Sequence, residues 1–203
     1  MSVLESTVFV VDDDEDVRRS LGRLLGEVGL TVEAHANAED FLEACDFESP
    51  GCVLLDIRMP GMSGIELHKR MLDQQATLPI IMITGHGDVT MAVESMKRGA
   101  FDFIEKPFRA QRLLDSVQAA LRLDLRLRVR REARAEARAR FAELTTSERE
   151  VVFHVVRGRN NREIAKERGV SSQSVDALRS KAMRKLRVEN VADLVRLFAA
   201  AEW

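Results

Sequence analysis

The sequence predicts a doubly wound α/β domain on a five-stranded parallel sheet, followed by an all-α domain, the two joined by a long linker helix. Three observations predict it. Over residues 1–109 short apolar runs alternate with helical patterns, the arrangement that right-handed strand–helix–strand crossovers produce. From Gln111 onward no strand signal remains. The charge divides at the same place: residues 1–109 hold 10 Lys+Arg against 20 Asp+Glu, residues 110–143 hold 9 against 5, and residues 144–203 hold 12 against 8. An acidic front and a basic back imply two domains with different partners, the second a polyanion.

The strands come in order. Thr7 to Val11 is an apolar run that stops at Asp12, and Thr31 to His35 is a more polar strand. Cys52 to Leu55 stops at Asp56, Pro79 to Ile83 stops at Thr84, and Phe101 to Ile104 stops near Lys106. Continuous apolar runs of this length suit a parallel sheet buried on both faces. Between them Val17, Leu21, Leu24, Leu25 and Val28 share one helical face closed by Gly29. Met91, Val93 and Met96 lie in another helix that stops at Gly99.

Leu114, Val117, Leu121 and Leu125 form a helical stripe. Leu121, Leu123, Leu125, Leu127 and Val129 also alternate, which alone would suggest a strand, but Arg130 to Glu143 is helix-forming and free of Gly and Pro. One helix from about Gln111 to Ala142 is expected, part packed and part linker. A dimeric coiled coil and a solvated spacer both stay open, since no heptad is sustained. The tail, Leu144 to Trp203, reads as four short helices. Thr146-Ser147-Glu148-Arg149 offers the first cap, and Val151, Val152, Val155 and Val156 give an apolar face ended by Gly158. Arg162 to Arg168 follows, then Gly169, a Ser171/Ser172 cap, and a last helix near Val191 to Ala201.

The 203 residues allow one large domain or two small ones, and 45% hydrophobic content excludes wholesale disorder. No apolar run approaches the roughly 18 residues of a membrane span. Met1 to Ser6 lacks the basic and apolar regions of a signal peptide, so no membrane partner and a cytoplasmic location are expected. Cys45 and Cys52 make neither a disulfide framework nor a zinc site.

Ligands of an open parallel sheet bind beyond the carboxyl ends of its strands. Asp12, Asp13, Asp56, Thr84 and Lys106 converge there. Close carboxylates repel, so a pKa rises unless a cation binds, and hard oxygen donors suit Mg²⁺. A carboxylate is a competent phosphoryl acceptor, with a hydroxyl and an ammonium to bind the transferred oxygens. Taken alone, the run Asp12 to Asp16 would be a solvated helix N-terminus. The coincidence of five groups outweighs that, while Asp14 and Asp16 stay surface or capping residues.

These residues carry a resemblance. Val10-Val11-Asp12-Asp13, Leu55-Asp56-Ile57-Arg58-Met59-Pro60-Gly61-Met62-Ser63-Gly64, Ile83-Thr84-Gly85-His86-Gly87-Asp88 and Phe103-Ile104-Glu105-Lys106-Pro107-Phe108 stand in order at characteristic spacings. Residues 7–123 resemble a two-component response-regulator receiver domain, and the whole chain is similar to the FixJ-type members of the NarL/LuxR output class. The resemblance implies that Asp56 is the phosphoacceptor and Asp12 and Asp13 the acidic pair. It puts Asp13, Asp56 and the Arg58 backbone carbonyl on Mg²⁺, and Thr84 and Lys106 on the phosphoryl oxygens. Phe103 takes the switch position with Thr84, and Lys106-Pro107 is expected cis. The implied donor is a sensor histidine kinase, and the implied dimer face is about Val89 to Phe103. His86 is expected to be a loop residue, His35 and His68 structural, the cysteines inert and the methionines core filler.

In the tail, Asn161 to Ser172 reads as helix, tight turn and cap, and Ser172 to Leu186 as a second helix. At about 100° per residue, Val175, Leu178, Ala182 and Leu186 form the buried stripe. Gln173, Asp176, Ala177, Ser180 and Arg184 face away, flanked by Arg179, Lys181 and Lys185. A polar face flanked by cations fits the DNA major groove, with central side chains on bases and cations on phosphates. From charge alone a solvated amphipathic helix is the better account. Leu144 to Leu197 resembles the LuxR-type output domain through Leu144-Thr145-Thr146-Ser147-Glu148-Arg149-Glu150-Val151, Asn161-Arg162-Glu163-Ile164-Ala165, Val170-Ser171 and Lys185-Leu186. It departs from the usual recognition helix at Gln173-Ser174-Val175-Asp176 and Leu178. Asp176 there either accepts from a cytosine amino group or repels phosphate.

The expected organisation is a receiver over 1–123, a helical linker over 124–143 and a LuxR-type helix–turn–helix domain over 144–203. The expected function is a transcription regulator, not an enzyme in its own right, that is phosphorylated on Asp56, dimerises and binds promoter DNA, with RNA polymerase as a further partner. Two rival readings stand beside it. Asp12-x-Asp14 resembles the haloacid-dehalogenase-like phosphatases, but the β-branched residue near Glu15-Asp16 is absent and the basic helices go unexplained. A regulator that needs no phosphate is opposed by the complete acidic site.

Overall fold

Each of the five expected strands forms, and all five pair in parallel. The computed structural model describes residues 6–85 and 89–201, leaving out the side chains of residues 89, 90 and 92. The strands are β1 (Thr7–Val11), β2 (Thr31–His35), β3 (Gly51–Asp56), β4 (Ile80–Thr84) and β5 (Asp102–Glu105), in sheet order β2-β1-β3-β4-β5. The order reverses beside β1, and that makes the doubly wound crevice. The central β3 and β4 are buried throughout, whereas the edge strand β2 is mostly exposed and accordingly more polar.

Alternate residues of each strand serve opposite faces. Phe9, Val11, Val53, Leu55 and Met82 pack with Phe41, Leu67 and Met71, under α2 (Ala38–Ala44) and α3 (Gly64–Asp73). Val8, Val10, Leu54, Ile81 and Ile83 pack with Leu21, Leu25, Leu113, Val117 and Leu121, under α1 (Glu15–Glu27) and α5 (Ala110–Ala142). This double burial is why the runs are apolar without alternation. The remaining crossover helix is α4 (Val89–Lys97). Its Met91 and Met96 are exposed, so not all the methionines are core filler. Both cysteines are free, and burial pushes both thiols up, Cys45 to about 12. The expectation for His86 lies outside the described residues.

The tail comprises α6 (Thr146–Val156), α7 (Asn161–Arg168), α8 (Ser172–Leu186) and α9 (Val191–Ala201). The first cap sits one residue earlier than the sequence suggested, and the α8 cap falls on the first of the two serines it offered. Thr145, not Thr146, caps α6 in a reciprocal box with Glu148, and Ser171 caps α8. Asn160 caps α7, which ends at Gly169 with φ 65°, a left-handed conformation that favours glycine.

The chain divides into two units, 1–127 and 128–203, with the boundary inside α5. In the first unit the buried face of α5 is Leu113, Ser116, Val117, Ala120, Leu121 and Asp124; Leu114 and Leu125 of the expected stripe are only half-buried. In the second unit Ala137 and Phe141 of α5 belong to the core, with Val151, Val155, Ile164, Val175, Ala182 and Leu186. Arg138 and Arg140 donate to the carbonyls of Ala201 and Leu186, at 3.1 and 3.2 Å. No described helix is long and apolar enough to cross a membrane.

Candidate functional site

The parallel register brings the predicted acidic site together. Val11 pairs with Leu55, Asp56 with Ile83 and Thr84 with Glu105, so the residues at or just beyond these strand ends share one edge. Asp12 and Asp56 are buried, at 1% and 7% exposure, and Thr84 is fully buried. The Lys106 backbone N–H donates to the Thr84 carbonyl at 2.7 Å, which fixes where the lysine leaves β5. The Lys106-Pro107 peptide is cis.

Lys106 Nζ donates to Asp12 Oδ2 at 2.8 Å and to Asp56 Oδ1 at 2.7 Å. The other oxygens are also held: Asp14 N–H donates to Asp12 Oδ1 at 2.9 Å, and Arg58 N–H to Asp56 Oδ2 at 2.7 Å. Arg18 Nη1 donates to the Asp12 carbonyl at 2.7 Å, pinning the turn after β1. Two buried carboxylates thus share one ammonium. Burial pushes the Asp56 carboxyl above its usual range and the Asp12 charge adds to this; Lys106 and the Arg58 N–H oppose it without cancelling it. Burial alone would lower the Lys106 ammonium, but the two carboxylates outweigh it and raise the pKa. Both shifts are upward, which for one ion pair favours the charged lysine but the neutral acid. The stoichiometry reconciles them: two carboxylates face a single cation, which stays charged, and the deficit falls on Asp56.

Asp13 and Arg58 are exposed. Thr84 Oγ1 donates to the Gly85 carbonyl at 3.1 Å, and Phe103 is half-buried against the Phe41 side of the core. Asp14 caps α1, as its expected surface role required. The oxygens at this edge are the carboxylates of Asp12, Asp13 and Asp56 and the Arg58 carbonyl, a hard donor set suited to magnesium rather than a soft metal. The uncompensated charge at Asp56 is a need such a cation meets. Among the described residues no three His, Cys, Asp or Glu are gathered for a metal, and Lys106 bridges the two buried acids. The donors suit Mg²⁺ in kind, though they are not drawn together around one point.

Gly64 is a supporting residue whose role the sequence did not disclose. A Cβ built there would lie 2.0 Å from the Asp56 carbonyl oxygen. Only glycine lets the first turn of α3 approach the backbone of Asp56 this closely. Its Ser63 cap, with Glu66 in a reciprocal box, fixes that turn.

On α8 the expected orientation holds. Val175, Ala182 and Leu186 are buried, while Gln173, Asp176, Ala177, Ser180, Lys181 and Arg184 are exposed. Three of the candidate DNA-contacting residues have partners within the unit. Asn161 Nδ2 donates to Asp176 Oδ1 at 3.0 Å, and Arg179 Nη1 donates to Asn161 Oδ1 at 3.1 Å. Lys185 Nζ donates to Glu148 Oε2 at 2.7 Å and to the Glu143 carbonyl at 3.1 Å. The Lys185 bond, the Thr145 N–H and the ammonium charge hold the buried Glu148 carboxyl below its usual range.

Comparison with known proteins agrees with this geometry. Residues 8–118 match the response regulator receiver domain, and residues 142–198 match the bacterial regulatory proteins of the luxR family. The chain is 41% identical over 190 residues to the transcriptional regulatory protein FixJ of Bradyrhizobium diazoefficiens, covering 94% of this chain and 93% of that one. It is 38% identical over 197 residues to the response regulator protein TodT of Pseudomonas putida, covering 97% and 87%. Among solved structures, the response regulator StyR aligns with a TM-score of 0.87 at 42% identity, covering 96% of this chain and 98% of that one. Full-length FixJ from B. japonicum aligns at 0.61 and 40% identity, covering 98% of each. A receiver fold with acids at its strand ends, followed by a LuxR-type helix–turn–helix, makes this chain a member of the two-component response regulators, a DNA-binding transcriptional regulator and not a metabolic enzyme.

Proposed function

We propose that Asp56 is the phosphoacceptor of this regulator, with a sensor histidine kinase as donor. The observation that carries it is the Lys106 ammonium shared between the buried carboxylates of Asp12 and Asp56. In the transfer, an Asp56 carboxylate oxygen forms a bond to phosphorus as the bond to the donor histidine nitrogen breaks; water later cleaves the acyl phosphate and restores the acid. Lys106 neutralises charge as the phosphoryl group arrives, and the Thr84 hydroxyl turns from the Gly85 carbonyl toward a phosphoryl oxygen. Mg²⁺, held by Asp12, Asp13, Asp56 and the Arg58 carbonyl, would lower the repulsion between carboxylate and phosphoryl group. The receiver spans 1–123, the linker 124–143 and the helix–turn–helix domain 144–203, with α5 contributing to the cores at both ends.

Movement of Thr84 would draw Phe103 inward and change the α4–β5 face. Met91, Val93 and Met96 are exposed on α4, 37–42% each, and give that face apolar surface for a second copy. Two tails then engage two half-sites on promoter DNA, and linkage raises the joint affinity. Gln173, Asp176, Ala177, Ser180 and Arg184 of α8 face bases, and Arg179 and Lys181 flank them toward phosphates; Lys185, on the same flank, is tied to Glu148. RNA polymerase is the further partner, and the cytoplasm the location.

The test is incubation of the full chain with a small-molecule phosphodonor and Mg²⁺, read by intact mass. One phosphoryl group is expected on the wild type, none on Asp56→Asn, and borohydride trapping should label Asp56. Labelling of Asp12 would favour the phosphatase alternative, and an unchanged mass shift in Asp56→Asn would end the assignment.

A further inference from the structure

A buried imidazole that the phosphoacceptor site does not use lies at the other end of the sheet. His68, on α3, is 2% exposed. It lines a cavity of about 180 Å³ by the amino-terminal ends of β4 and β5, together with Leu72, Thr77, Phe101, Leu123 and Leu127. His68 and Thr77 bring the polar side chains to a lining whose other side chains are hydrocarbon or the Met71 thioether. Among the described residues His68 has no hydrogen-bond partner. Burial first, and then the charge of Arg98, hold the imidazole below its usual pKa, so one ring nitrogen is a bare acceptor. Arg98 is itself paired with Glu94 at 2.5 Å. Leu72 and Leu127 are 43% and 38% exposed, so apolar side chains at this site are left in water.

An unmet acceptor inside an apolar cavity is a recognition element. We propose that this cavity binds a small neutral molecule with one aromatic ring and one hydroxyl, of the phenol class, the ring among Phe101, Leu123 and Leu127 and the hydroxyl donating to His68. The size is adequate, since apolar cavities of roughly 150 Å³ accept benzene. An anion is disfavoured because the imidazole is neutral. Leu123 and Leu127 belong to α5, so a bound ring fills the space between that helix and α3.

The experiment titrates the full chain with phenol and with toluene, following methyl NMR signals and heat. Phenol should shift the methyls of Leu72, Leu123 and Leu127, and should bind about tenfold more tightly than toluene, the increment of one buried hydrogen bond. His68→Leu should remove that increment while leaving toluene binding within about twofold. Ala76→Phe, which fills the cavity, should abolish both. The proposal is overturned if millimolar phenol leaves these methyls unmoved or moves others instead, if phenol and toluene bind wild type equally, or if a folded His68→Leu protein binds phenol as wild type does. Should His68→Leu not fold, the wild-type methyl map and the phenol-to-toluene ratio still decide.

Discussion

The carboxylate of Asp124 accepts a hydrogen bond from the backbone N–H of Gly51, 73 residues away, at 3.0 Å. It ties α5 to the first residue of the central strand. Asp124 is 1% exposed, so the bond lies in a low-dielectric setting where an orphaned donor is costly. Asp124→Leu should therefore destabilise the receiver by about 1–3 kcal/mol. The exposed control Glu132→Ala should stay within about 0.5 kcal/mol. Calorimetry of the two variants checks this, and equal melting would leave Asp124 without an anchoring role.

Gly64→Ala tests the contact behind Asp56. The added methyl would sit 2.0 Å from the Asp56 carbonyl, so the α3 turn or the end of β3 must move. A cost of about 1–3 kcal/mol is expected. Because the strain falls on the backbone of the phosphoacceptor, the rate of phosphoryl uptake should fall as well. A normal rate in a destabilised variant would confine Gly64 to packing.

Asp56→Asn should melt higher than wild type at neutral pH. The folded pKa of Asp56 lies above its unfolded value, so its contribution to stability is present below the unfolded pKa and is lost as pH rises through the folded one. Above that point the wild type carries a charge penalty that the amide lacks. The gain should shrink as pH falls toward the ordinary aspartate range. Lys106→Met should do the reverse, costing about 3 kcal/mol at neutral pH because two buried acids lose their shared cation. Melting curves from pH 3 to 8 separate the two, and a pH-independent gain in Asp56→Asn would refute the charge argument.

Much of this architecture was legible because strand ends are marked chemically. Apolar runs that stop at Asp12, Asp56 and Thr84 give both the sheet and the edge where the site forms. The polar edge strand β2 was legible for the same reason, since burial on fewer faces tolerates Glu33. The division of α5 was not. A helix's buried face is set by what it meets, and Asp124, assigned to the linker, proves buried against β3, while Ala137 and Phe141 complete the second core. Lys185 looked like a free cation because its partner, Glu148, stands 37 residues away, and no local pattern joins them. Gly64 was visible in a motif, yet its reason is a single close approach to a carbonyl that spacing alone does not reveal.

The cations of α8 should separate into two kinds. Lys181 and Arg184 are exposed, whereas Lys185 donates to the buried Glu148, whose other bond caps α6 through Thr145. Lys181→Ala and Arg184→Ala should weaken binding to random-sequence duplex DNA, each lowering the salt dependence by about one counterion, without changing the melting temperature. Lys185→Met should destabilise the helix–turn–helix unit itself. The lysine is 37% exposed, so solvent screens the pair and about 0.5–1 kcal/mol is expected. Glu148 has a depressed folded pKa, so its stabilisation is present above the ordinary glutamate range and is lost as pH falls through the folded value. That acid-side loss should be smaller in Lys185→Met, because the main cause of the depression is gone. An unchanged melting temperature with weaker DNA binding in Lys185→Met would instead make this lysine a phosphate contact like its neighbours.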